Sequence, residues 1–192
     1  MIMKNNKLAQ IYSPLDHISR ERFIQEYGIA SCREKYAEIN SCSKALETSS
    51  PLLSHIKKSY GKQSAIAYIE TWLYNLNDYL NISRRLKKEQ IYETALYIIQ
   101  DYYYLNIAEL HLFFTKLKKG EFGNLYEGID GYKILSFLKT YEQERLSHFE
   151  KKRIKSKENS MPINEKSNFL WKNVDKIPSL RKLKKTKGKS NR

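Results

Sequence analysis

The sequence predicts an all-α protein, a single helical bundle domain followed by a disordered basic C-terminal tail. Three observations predict it. Apolar residues recur at steps of three and four through most of the first 150 positions, which is the spacing of one helix face. Ser, Asn, Asp and Gly stand where those stretches begin and end, as helix caps do. Nothing in the same span alternates with a period of two for long, so no strand is expected. The boundaries drawn on this basis are a flexible N-terminus at 1–16, a helical bundle at 17–150 and a tail at 151–192.

The first expected helix runs from His17 to Tyr27, with Asp16 near its start and Gly28 at its end. A weaker one covers Arg33 to Leu46. Ser50 and Pro51 read as a cap and first-turn pair opening a helix that reaches Tyr60 and stops at Gly61. From Lys62 to Leu80 the residues Ile66, Ile69, Leu73, Leu76 and Leu80 recur at steps of 3, 4, 3 and 4. Ala65, Trp72 and Tyr79 widen that stripe. The next helix spans about Lys88 to Tyr104, with Ile91, Ala95, Ile98 and Tyr102 on one stripe, and packs antiparallel to its predecessor. Asn106 with Glu109 three residues on forms a capping box for a helix through Leu110, Phe114 and Leu117 that Gly120 ends. Asp130 caps the last helix, Gly131 to about Arg153, with Ile129 and Ile134 placed as a hydrophobic staple.

The charge is uneven. The chain carries 35 Lys and Arg against 21 Asp and Glu, a formal net charge of +14. Residues 151–192 hold 15 of the basic and 3 of the acidic side chains, a net +12, so the first 150 residues are nearly neutral. An AT-rich coding bias raises Lys, Asn, Ile and Tyr throughout, yet it does not remove carboxylates from Arg181 to Arg192, which has seven basic residues and no acid. A body of about 150 residues buries roughly 70% of the surface its unfolded chain exposes, so neither disulfide nor metal is required for a core.

Several function classes are excluded or disfavoured. No run of eighteen apolar residues exists, so no transmembrane helix is expected, and the start lacks the pattern of a secretory signal. The expectation is a cytoplasmic protein without a membrane partner. Cys32 and Cys42 are ten apart and the histidines are scattered at 17, 55, 111 and 148, so no metal or cofactor is expected and the cysteines read as reduced. No nucleophile elbow, no paired catalytic carboxylates and no phosphate-loop ending are found. His111 and His148 read as packing histidines, and no catalytic residue is assigned.

Four of the seven glycines fall between Gly120 and Gly131, a segment that either joins two helices or presents a turn to a partner. On the helix after Asp130, Ile134, Leu138, Tyr141, Arg145 and Phe149 share one narrow arc at 100° per residue. Arg145 thus sits amid apolar residues. A clamp to an acid such as Asp101, Glu109 or Glu127 is the preferred reading, and a partner-facing groove the other. The pattern Gly120-x-x-Gly123-x-x-Tyr126-x-x-x-Asp130, preceded by Leu110-x-x-Phe-Phe114 and followed by Tyr141-x-x-Glu144-Arg145, resembles the core motif of an uncharacterised family of small helical proteins from phages and mobile elements of Bacteroidetes. The resemblance covers about residues 65–150 and leaves out the N-terminal part and the basic tail. It implies a helical domain placed among genes that handle or transfer DNA, and it brings no activity.

The basic residues are the functional candidates. Lys151, Lys152, Arg153, Lys155 and Lys157 form one cluster, and Arg181, Lys182, Lys184, Lys185, Lys187, Lys189 and Arg192 a second. Together they are the footprint of a phosphate-binding arm. Lys outnumbers Arg, which favours sequence-independent neutralisation of a backbone over bidentate base readout. Arg84, Arg85, Lys87 and Lys88 read as a solvated helix start. Between the clusters, Phe169, Leu170, Trp171, Val174, Ile177, Pro178 and Leu180 form an apolar island that docks on the body or on a partner. The expected function is a non-enzymatic accessory protein of phage or mobile-element DNA metabolism, of the replisome-organiser or helicase-loader kind, whose partners are DNA and a replication or mobilisation protein. The alternative is an interaction module or host-modifying factor whose arm grips an acidic protein.

Overall fold

The structure, a computed structural model, describes residues 15–123 and 128–160. Among them are eight helices: α1 Arg20–Tyr27, α2 Ile29–Lys35, α3 Cys42–Glu47, α4 Leu53–Tyr60, α5 Lys62–Tyr79, α6 Lys88–Asp101, α7 Ile107–Lys118 and α8 Gly131–Ser160. The all-α class holds for the described residues, whose one β element is an isolated antiparallel bridge between Leu52 and Asn106. The chain divides into two units, Met1–Tyr141 and Glu142–Arg192. Most of the sequence expected to be flexible or disordered, at both ends, lies outside the described residues. Leu15 is buried, however, and α8 continues ten residues past 150.

The first unit is organised on α5. Ala65, Ile66, Ile69, Trp72, Leu73 and Leu76 are buried along it, as the stripe predicts, and α4 and α6 make its most extensive contacts. Across the core Trp72 stacks on Phe114 of α7 at 5.3 Å, and Phe113 meets Tyr141 of α8 edge-on at 6.1 Å. Aromatic pairs of this kind add to the area they bury. Ile129 and Ile134 are both buried at the start of α8, as a staple requires.

Several local expectations are corrected by tertiary contacts. The first helix begins at Arg20 and not at His17, capped by Ser19, whose Oγ accepts from the Arg22 N–H at 3.2 Å, while Asp16 accepts from the Ser59 hydroxyl of α4 at 2.9 Å. The single helix expected over 33–46 is two short ones, α2 and α3, separated by a turn. Gly28 both closes α1 and opens α2. Ser50 and Pro51 do not open α4, which begins at Leu53. The Ser50 hydroxyl accepts from the Ala108 N–H at 3.3 Å and the Pro51 carbonyl from the Ile107 N–H at 2.9 Å, so both serve α7. The first N–H groups of α4 are satisfied from the same region, Leu53 by the Leu105 carbonyl and Ser54 by that of Tyr103. The capping box of α7 forms as expected and is buried. Asn106 Oδ1 accepts from Glu109 N–H at 2.8 Å, Glu109 Oε2 from Asn106 N–H at 3.1 Å, and Asn106 Nδ2 donates to Ala45 of α3.

Candidate functional site: a basic groove and a basic helix

The connection between α5 and α6, residues 80–87, carries Arg84, Arg85 and Lys87 and is held from below by one buried side chain. Asn77 of α5, 8% exposed, accepts from the Leu86 N–H and donates to the Leu86 carbonyl, both at 3.0 Å. A side-chain amide paired to both backbone groups of one residue fixes that residue's position, and Leu86 is itself buried. The turn before α8 is fastened to the same connection. Ile129 N–H donates to the Arg84 carbonyl at 3.1 Å, and Gly128, at φ 142°, lies so close that a Cβ there would stand 2.7 Å from Arg84 Cβ. Gly131 packs on α6 in the same way, against Thr94.

Between these two pinned segments runs a groove of about 450 Å³, lined by Ser83, Arg84, Arg85, Lys87, Gln90, Gly128, Ile129, Asp130 and Lys133. Four cationic side chains face one carboxylate. Asp130 is already engaged, its Oδ1 capping α8 by accepting from the Lys133 N–H at 2.7 Å, and Lys133 Nζ donates to the Gly128 carbonyl at 3.0 Å. Arg84, Arg85 and Lys87 are exposed, and among the described residues no carboxylate lies within ion-pair distance of them. Such a concavity attracts anions. These residues are exposed just before α6, in keeping with a solvated helix start, and Arg84, Arg85 and Lys87 also line the groove. The sequence signal was present, four basic residues between 84 and 88, but Lys133 and the glycine turn that complete the site are more than forty positions away.

The basic residues of the first cluster lie on α8 in the second unit. Lys151, Lys152, Arg153, Lys155 and Lys157 are all exposed on it. The second cluster, Arg181 to Arg192, and the apolar island lie outside the described residues. Of the motif residues, Gly120 and Gly123 adopt φ 72° and 119° with open space around them, so they serve backbone conformation. Asp130 is a helix cap, Tyr141 is a core residue and Tyr126 lies outside the described residues. Glu144 is exposed. Arg145 is half-buried, with its guanidinium 4.9 Å from the centroid of the Phe149 ring one turn on. That ring is 44% exposed, so the buried arc ends at Tyr141 instead of continuing to Phe149 as expected.

A second concavity, about 270 Å³ between α1, α4 and α5, is apolar, lined by Phe23, Ile24, Ile56, Tyr60, Ala67 and Tyr68 among others. Arg20 at its rim donates to the Tyr60 carbonyl. No three His, Cys, Asp or Glu side chains gather as metal ligands among the described residues. Cys32 is fully buried and its thiol is pushed up to about 11, chiefly by burial, which suppresses the thiolate. His111 contacts the rings of Tyr36 and Trp72, and burial, with Lys118 and Arg33 nearby, lowers its pKa. No helix among the described residues is long and apolar enough to cross a membrane.

Residues 74–187 match the model of a family of unknown function, DUF6633. The span takes in both walls of the groove, the glycine-rich turn, α8 and the basic residues as far as Lys187, and so extends past residue 150, where the resemblance ends. No curated protein and no solved structure matches the chain.

Proposed function

For a chain that belongs to the DUF6633 family, we propose the role of a non-enzymatic, cytoplasmic accessory protein of phage or mobile-element DNA metabolism, of the replisome-organiser or helicase-loader kind. Its helical body makes protein contacts and its basic C-terminal arm binds nucleic acid. The observation that carries the reading is the placement of charge: +12 of the net +14 falls in residues 151–192, and five of those cations stand exposed on α8 within seven residues. At about 1.5 Å of rise per residue, seven residues span roughly 10 Å of helix. Duplex DNA presents a phosphate charge every 1.7 Å or so, and counterions released from it supply the binding free energy.

The test is the salt dependence of binding to duplex DNA. An arm neutralising about six phosphates gives a slope of log affinity against log salt near −5. Deleting Arg181 to Arg192 should flatten that slope by several units while leaving the melting temperature unchanged. A truncated chain that keeps the full slope removes the arm from the mechanism. Absence of binding at low salt by the intact chain moves the basic arm to an acidic protein partner.

A further inference from the structure

The groove between the 80–87 connection and the start of α8 has features a linker does not need. Its two backbone segments are joined through Ile129 and Arg84, the first is held by Asn77, and Gly128 takes a positive φ of 142° where they meet. A backbone fixed on folding spares the site the cost of ordering its main chain when a phosphate binds, so that only the side chains remain to be ordered. Its volume, about 450 Å³, lies within the range of small-ligand sites and accommodates a nucleotide unit. In the first turn of α8, one residue before Lys133 in the chain, Tyr132 is 81% exposed, the highest value among the large apolar side chains of the described residues. Tyr132 does not line the groove, but it is one residue from the groove-lining Lys133, and an exposed aromatic ring paired with cations is used by proteins that hold single strands, where the ring stacks on an unpaired base and the cations track the backbone. A duplex keeps its base faces stacked on one another and offers none to such a ring.

We propose that this groove is a single-stranded nucleic-acid site in the body of the protein, with Arg84, Arg85, Lys87 and Lys133 on the phosphates and Tyr132 as a stacking platform for one base. The inference rests on the nucleic-acid reading given above and adds strand selectivity to it. The arm is indifferent to strand state, whereas the groove favours single strands.

The experiment measures binding of the full chain to labelled oligo-dT, oligo-U and a DNA duplex of equal length across a salt series. In an Arg84→Gln/Arg85→Gln variant the single-strand slope should flatten by about 1.4, since each phosphate contact on a single strand contributes roughly 0.7. Tyr132→Ala should lower single-strand affinity about tenfold without changing the slope, and Tyr132→Phe should retain it. Duplex binding should be the same in all variants. All three substituted side chains are exposed, so unchanged melting temperatures are expected and are checked. Loss on oligo-dT, oligo-U or both supports the groove and identifies the strand it takes. Single-strand binding unaffected by either variant, or an equal loss on the duplex, overturns the groove while leaving the arm standing. If the intact chain binds no nucleic acid at low salt, both readings fall together.

Discussion

His111 illustrates how a single side chain reports on its surroundings. Buried between Tyr36 and Trp72, with Lys118 and Arg33 nearby, it binds its proton less readily in the folded chain than in the unfolded one. The unfolded state therefore takes up the proton first as pH falls through about 6.5, and stability declines there until the lower folded value is passed. Urea midpoints at pH 7.5 and 5.5 should show this loss, and His111→Phe should diminish it. His55, whose pKa is also lowered, mainly by burial, supplies the part that persists. An unchanged midpoint difference in the variant would mean that His111 is not the proton sink. The packing role of this residue is legible in Leu110-His-Leu-Phe-Phe114, where apolar neighbours surround it. The individual roles of the glycines are not. Gly120 and Gly123 are needed for φ, Gly131 for contact with Thr94, and Gly128 for both its φ and its contact with Arg84, and sequence distance hides these contacts.

Among the elements, α7 shows where local rules suffice. Its capping box was readable because Asn106 and Glu109 are three apart, and the structure adds that the same Asn106 ties α7 to Ala45 of α3. Asn106→Ala should cost roughly 2 kcal/mol, combining a lost cap with a buried carbonyl left unpaired, and chemical denaturation measures it. A cost of a few tenths would show that water reaches the site. Helix α4 shows where local rules fail. Ser50 and Pro51 have the composition of a start signal, yet their polar groups are spent on α7, and the N–H groups they would have capped find carbonyls fifty residues away. The candidate groove failed to stand out for the same reason. Arg84, Arg85 and Lys87 look like an ordinary polar connection until Asn77 and Gly128 are seen to hold them against Lys133.

For the molecule as a whole, the joint between α4 and α7 governs the order in which the body can be completed. The Leu52–Asn106 bridge is flanked by the bonds from Leu53 to Leu105, Ser54 to Tyr103 and Ile107 to Pro51, so residues 103–108 complete an element that leaves the ribosome some fifty residues earlier. A chain ending at Tyr102 contains α1 to α6 in full. It should nevertheless show helical far-ultraviolet signal without dispersed methyl resonances, because α5 then lacks Phe114 and α4 lacks its backbone partners. Cooperative unfolding of that fragment would contradict this. During synthesis α1 to α6 should therefore wait as loosely collapsed helices, because closing this long loop is an entropic step that precedes its rewards. The consequence for a chain still being made is a delay: the body can close only once α7 has cleared the ribosome, which requires translation well beyond Leu117.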